Sequence, residues 1–328
     1  MTFRITLVIT ALFVCHLLFG QAGASFLRLG VNEGLSQNSV REIFQDRQGF
    51  IWIGTGDGLN RYDGIQIKKY RQSFRDISSR RFPGKILNGR IHQDADGNLW
   101  MMVDGKLVKM DVATETFEVI KPIGGDLEHL IIGMHGNKVY IVSQNSVDVV
   151  NIEDRSVVRI EQPEVFGFYQ LNSKEASLLY KKGNNIFQLD PASGTHKLLF
   201  STGNDSLYAA SLSDSRILFA AGNKISEYDL LTGRVAKDYS LPDNLYGRIL
   251  SPLLKARNGD IILAFPGNGI IRIDSVKSMF HHYVNIENDP FSLSSNLVYM
   301  AIIDKSDNMW LGTEGGGISH LSLRARLF

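Results

Sequence analysis

The residues that could carry chemistry come first. Two acidic stretches, Asp94-Ala95-Asp96-Gly97-Asn98 and Asp304-Lys305-Ser306-Asp307-Asn308, have the oxygens with which a calcium loop begins. An EF-hand loop needs further oxygen ligands, a glutamate at its twelfth position and flanking helices. Here the following residues are apolar and strand-like, so both stretches read as β-turns built from Asp, Asn and Gly. After the N-terminal 24 residues, histidines stand at positions 92, 129, 135, 196, 281, 282 and 320. His281 and His282 are adjacent, and neighbours on a strand point to opposite faces, which argues against a shared metal. The chain has no G-x-S-x-G elbow, P-loop or H-E-x-x-H. Gly315-Gly316-Gly317 precedes a strand rather than a helix and reads as a turn, not a phosphate cradle. No catalytic residue, metal or cofactor is expected, and the chain is not read as an enzyme.

The elements that would position any site form a repeat. Gly34 to Tyr70 reads as strand, turn, strand, turn, strand, turn, strand, with Gly and Asp at the turns. Its third strand, Gly58-Leu59-Asn60-Arg61-Tyr62-Asp63, recurs at Lys106–Asp111, Ser146–Asn151, Asn185–Asp190, Lys224–Asp229, Gly269–Asp274 and Gly317–Ser322. The spacing of 39 to 48 residues suits a four-stranded blade. Trp52, Trp100 and Trp310 fall at one place in the second strand, with Tyr140, Tyr180, Phe219 and Leu263 as nearby substitutes in the other blades. Large flat rings there pack one blade against the next. The trailing residues Asp63, Asp111, Asp190, Asp229 and Asp274 head turns, where a carboxylate accepts backbone N–H groups. The predicted fold is all-β, a seven-bladed β-propeller of four-stranded antiparallel blades at roughly 34–70, 86–120, 127–160, 166–200, 207–240, 247–283 and 293–328. Phe26-Leu27-Arg28-Leu29 resembles a final blade strand and could close the ring against the last blade.

Residues 1–24 read as a signal peptide: Arg4, an apolar run from Ile5 to Phe19, and Ala22-Gly23-Ala24 as the cleavage site. The run is short for a membrane span. Cys15, the single cysteine, lies inside it, so the mature chain starting near Ser25 has no thiol and no disulfide. Export without cysteine fits a bacterial periplasm or cell exterior. The whole chain carries 35 basic and 34 acidic side chains, and losing Arg4 with the leader leaves the two equal. No basic stripe points to nucleic acid. The rest, 25–328, reads as one domain. Its longest irregular link, Arg71 to Gly84, holds four arginines and reads as a solvated loop.

A propeller binds ligands on its disc faces, where loops and inner-strand ends converge on the axis. In register, the inner strands offer Arg41, Glu42, Arg90, His92, Arg248 and Tyr299 as candidate ligand-binding residues, either lining the axis or paired between blades. With all three Trp residues assigned to the core, an aromatic platform for a sugar falls to Tyr208, Tyr246, Tyr299 or a Phe.

The stretch GLSQNSVREIFQDRQGFIWIGTGDGLNRYDG resembles the two-component regulator propeller repeat, and Ser294-Ser295-Asn296-Leu297-Val298 through DNMWLGTEGGGI repeats the pattern. The likeness is strong in blades one and seven, partial in two and six, and weak in three to five. Such repeats form the periplasmic sensor half of hybrid histidine kinases, where two propellers precede an immunoglobulin-like domain, a membrane span and cytoplasmic signalling domains. The resemblance implies a ligand-sensing role, with a small molecule or oligosaccharide as ligand and the remainder of a membrane receptor as partner; a homodimer is an allowed state. This sequence ends at Phe328, just after blade seven, so it is either the outer piece of such a receptor or a chain that stops early. The alternatives are a secreted propeller enzyme acting on glycans and a protein-interaction propeller.

Overall fold

The computed structural model describes residues 24–323 apart from 73–80, 86, 123–129, 144–145, 162–168, 173–176, 204–206, 214, 242–249 and 266. The segment read as a signal peptide, through Gly23 and including Cys15, therefore lies outside the described residues, as do Arg248 and Tyr246. Runs of three to seven β-favouring residues, cut by Gly and Asp turns, give seven four-stranded antiparallel sheets. The third strands fall where the repeat places them, from Gly58–Tyr62 in blade 1 to Ile318–Ser322 in blade 7.

Six blades are built from consecutive strands. The seventh takes three from the C-terminal end and its outermost strand from Leu27–Leu29, paired antiparallel with Ile318–Ser322. The inner strands Val40–Gln45, Leu87–Gln93, Leu130–His135, Tyr169–Asn172, Leu207–Ser213, Leu250–Lys255 and Val298–Ile303 contact one another in sequence, and the last contacts the first. The ring is closed, and the segment read as a closing strand performs that closure.

Each junction between neighbouring blades holds one apolar cluster. Trp52 packs among Ile91, Leu99 and Met101 of blade 2, Trp100 among Ile131, Val139 and Ile141 of blade 3, and Trp310 among Val40, Ile43 and Ile53 of blade 1. Strand pairing corrects the assignment of their substitutes. Tyr140 does take the Trp position, opposite Val149 as Trp52 is opposite Arg61. In blades 4, 5 and 6 that position belongs to Leu179, Leu218 and Ile262. Tyr180, Phe219 and Leu263 sit one residue further on and face back onto the preceding blade. A one-residue offset on a strand reverses the face.

The five trailing aspartates cap turns. Asp63 accepts the N–H groups of Ile65 and Gln66, both at 2.8 Å, and Asp229 those of Leu231 and Thr232 at 3.0 and 2.9 Å. Such bonds favour the ionised carboxylate, and the acid strength of Asp63 and Asp229 is raised by them.

Candidate functional site

In each blade the start of the inner strand, the turn between second and third strands and the link to the next blade share one face of the disc. On that face blades 7 and 1 meet through repeated local chemistry. Ser36 and Ser294 hold matching places before the two inner strands. The Ser36 hydroxyl lies 2.7 Å from the Thr55 hydroxyl, and its N–H donates to Asn60 Oδ1 at 2.9 Å. Ser294 repeats this with Thr313 at 3.4 Å and Ser319 Oγ at 2.9 Å. These bonds fix the loops that frame the mouth of the ring.

Two bulges aim side chains into that mouth. Val40 pairs with Thr55 and Glu42 with Gly54, which leaves Arg41 without a ladder partner. Val298 pairs with Thr313 and Met300 with Gly312, which does the same to Tyr299. An extra residue in one strand turns its side chain out of the regular alternation. Arg41 and Tyr299 are consequently exposed inner-strand residues on adjacent blades, with the guanidinium carbon 5.7 Å from the tyrosine ring centroid. Tyr208 stands at a corresponding register break in blade 5.

Glu314, from the turn between the second and third strands of blade 7, completes the group. Its N–H donates to the Leu297 carbonyl at 2.9 Å, and its Oε1 accepts the Ser39 hydroxyl at 2.9 Å. Its Oε2 lies 3.8 Å from Arg41. Sequence reasoning missed Glu314. The signal was present, because Thr313-Glu314-Gly315-Gly316-Gly317 is one residue longer than Thr55-Gly56-Asp57-Gly58 in the otherwise matching blade 1.

The other candidates divide differently. Glu42 is buried on blade 1, and the backbone N–H of Ile91 in blade 2 donates to its carboxylate. Burial pushes its pKa up to about 8, against the opposing pull of Arg90 and the Ile91 bond. His92 replaces the Phe44 position of blade 1, pairing with Trp100 as Phe44 pairs with Trp52. Burial and the Arg90 charge bring its pKa down to about 4 despite a hydrogen bond to the Ile131 backbone. The structure thus places Glu42 and His92 in the blade junctions and leaves Arg90 exposed on the inner strand beside them. Arg41 and Tyr299 come together; Glu42, Arg90 and His92 form a second group on the neighbouring strands.

Another buried carboxylate, Glu227, is bound by Lys255 Nζ at 2.6 Å, the Tyr239 hydroxyl at 2.8 Å and Arg216 at 3.1 Å. That saturated cluster ties blade 5 to blade 6 and offers no free group for catalysis. Among the described residues, no group of three or more His, Cys, Asp or Glu side chains is arranged to hold a metal ion. No described helix is long and apolar enough to cross a membrane.

Comparison with known proteins follows the same lines. Residues 34–57 match the family model described as two component regulator propeller. Histidine kinase P4 of Formosa agariphila is 51% identical over 47 residues, which are 14% of this chain and 3% of that protein. Among solved structures, the extracellular domain of a chain described as a hybrid two component system of B. thetaiotaomicron superposes with a TM-score of 0.71 at 20% identity. It covers 92% of this chain and 42% of its own. A second such domain from the same organism gives 0.70 at 17% identity, covering 91% and 39%. The WD40 propeller of Doa1 gives 0.62 at 14% identity, covering 92% and 98%. These likenesses show the fold, and the chain spans about two-fifths of the two bacterial structures.

Proposed function

We propose that this chain is the ligand-sensing propeller of an exported two-component receptor, facing the periplasm and recognising an oligosaccharide at the mouth between blades 7 and 1. The carrying observation is the match of residues 34–57 to the two component regulator propeller family, within a ring that folds like the extracellular domain of a bacterial two component system. The exposed pair of Arg41 and Tyr299 supports the placement: polar and aromatic side chains converge there on rigid strands, as small-ligand sites require. Signalling output would come from domains beyond these residues, so the role here is to bind and transmit.

Thermal unfolding with a panel of oligosaccharides tests this reading. A ligand at one hundred times its Kd stabilises the folded state by about 2.7 kcal/mol, which raises Tm by several degrees. At least one saccharide should do so, and cell fractionation should place the chain in the periplasm with its N-terminus at Ser25. A panel without any shift, together with cytoplasmic retention of the uncleaved chain, would sink the proposal.

A further inference from the structure

The mouth between blades 7 and 1 holds an unmatched acceptor beside a donor and an aromatic face. Glu314 Oε1 is satisfied by Ser39, whereas Oε2 is shut off from solvent and has no hydrogen-bond donor among the described residues. Arg41 comes only to 3.8 Å, beyond hydrogen-bond reach, and its side chain stays 48% exposed. An unpaired carboxylate oxygen away from water is costly, and a ligand donor would recover that cost. The carboxylate is not required by the repeat. Blade 1 has Gly56 at the matching place, where a Cβ would collide with the Gln37 side chain.

We propose that Arg41, Glu314 and Tyr299 form a subsite for a vicinal diol of a neutral saccharide ring. One hydroxyl donates to Glu314 Oε2, its neighbour accepts from the Arg41 guanidinium, and the apolar face of the ring lies on Tyr299. A hydroxyl both donates and accepts, so two adjacent ones bridge an acid and a base whose ion pair is too long for a direct hydrogen bond. Arg41 swings from its loose position to open the Glu314 oxygen. The two charges cancel, so the subsite favours a neutral ring over an acidic one, which Glu314 repels. Tyr299 is 46% exposed, and once Arg41 leaves its place over the ring that face can take the apolar side of a sugar. This inference rests on the ligand-sensing reading and assigns its contacts.

Saturation-transfer NMR on the chain, with galactose, glucose, mannose, xylose, cellobiose and galacturonate as probes, decides it. At least one neutral sugar should receive saturation on its ring C–H protons. Its Kd should rise about tenfold or more in Glu314→Gln and in Arg41→Met, and its signal should vanish in Tyr299→Ala. All three side chains are partly or half exposed, so each variant should keep the wild-type Tm; Ser39→Ala gives a milder perturbation of Glu314 should one of them unfold. Equal binding by every variant would overturn the subsite while leaving the ligand-sensing reading intact. Stronger binding of galacturonate than galactose, increased further by Glu314→Gln, would replace the diol with an anion. Absence of a signal from all six probes, neutral and acidic, would remove both the subsite and the oligosaccharide reading.

Discussion

At the residue scale, the same aspartate-to-tryptophan clip recurs in three blades. Trp52 Nε1 donates to Asp46 at 2.8 Å, Trp100 to Asp94 at 2.8 Å and Trp310 to Asp304 at 2.9 Å. The other oxygen of each carboxylate accepts a turn N–H, from Phe50, Asn98 and Asn308 respectively. One side chain therefore sets the turn and seats the indole that fills the next junction. Burial alone would push the Asp94 and Asp304 carboxyls up, yet the indole and asparagine bonds outweigh it and hold both below the usual range. Trp52→Ala should cost about 3–5 kcal/mol, read by chemical denaturation. Asp46→Ala should cost about 1–3 kcal/mol, and much less in a Trp52→Phe background, where the indole donor is already gone. Equal costs in both backgrounds would separate the two residues. The turns were legible in the sequence as Asp/Gly chemistry, but the link to the indole six residues on needed coordinates, since spacing does not show where a ring nitrogen points.

Two buried titrating groups set opposite limits on pH stability. Glu42 releases its proton near 4.5 when unfolded and near 8 when folded. The folded chain binds the extra proton between those values, so stability falls as pH rises through that window, on the order of 5 kcal/mol in all. His92 protonates near 6.5 when unfolded and near 4 when folded, so stability falls as pH drops from 6.5 to 4. The two trends oppose each other between about pH 4.5 and 6.5, so unfolding midpoints measured from pH 4 to 9 should be nearly level there and fall between about 6.5 and 8. Glu42→Gln should flatten the alkaline limb and uncover the His92 decline below pH 6.5. An unchanged alkaline limb would mean that Glu42 ionises normally in the folded protein.

At the element scale, a latch ties the third strand of blades 1, 6 and 7 to the incoming segment of the next blade. The N–H of Gly58 donates to the Lys85 carbonyl at 2.8 Å, that of Gly269 to Asn296 at 3.1 Å, and that of Gly317 to Asn38 at 2.8 Å. Gly317 has φ of 73°, and a Cβ there would drive into the Leu29 carbonyl of the closing strand. Gly64 also has positive φ, at 100°, but open space around it. Gly317→Ala should thus cost clearly more than Gly64→Ala, which carries only the backbone penalty of about 1 kcal/mol. Comparable losses in urea titrations of the two variants would remove the steric argument. Strand order and the third-strand register were readable because Gly-Asp turns and period-two alternation are local signals. The bulges at Arg41 and Tyr299 were not. A bulge shows only in what the partner strand omits, so the sequence placed both residues on inner strands without revealing that they meet.

At the scale of the whole molecule, seven similar sheets become one closed body through a strand of three residues. Leu27–Leu29 forms few ladder bonds, so its hold must come from elsewhere. Phe26 is buried in the junction of blades 6 and 7 against Tyr283, with ring centroids 5.6 Å apart. Arg28 reaches across to the segment that leads into blade 7. Its guanidinium donates to the carbonyls of Asp289 at 2.8 Å, Leu293 at 2.9 Å and Ser292 at 3.0 and 3.1 Å. These carbonyls belong to the link framing the mouth, so closure of the ring and shape of the candidate site share one anchor. Hydrogen bonds from a charged donor contribute more than neutral ones, and their loss leaves several acceptors unpaired. Arg28→Met should lower stability by about 2–4 kcal/mol and raise hydrogen exchange in blade 7 before the blades opposite it. It should also weaken any ligand bound near Tyr299, although Arg28 is placed outside that group. Uniform exchange across all seven blades would show instead that the ring opens as one unit, with closure spread over every junction rather than concentrated at this strand.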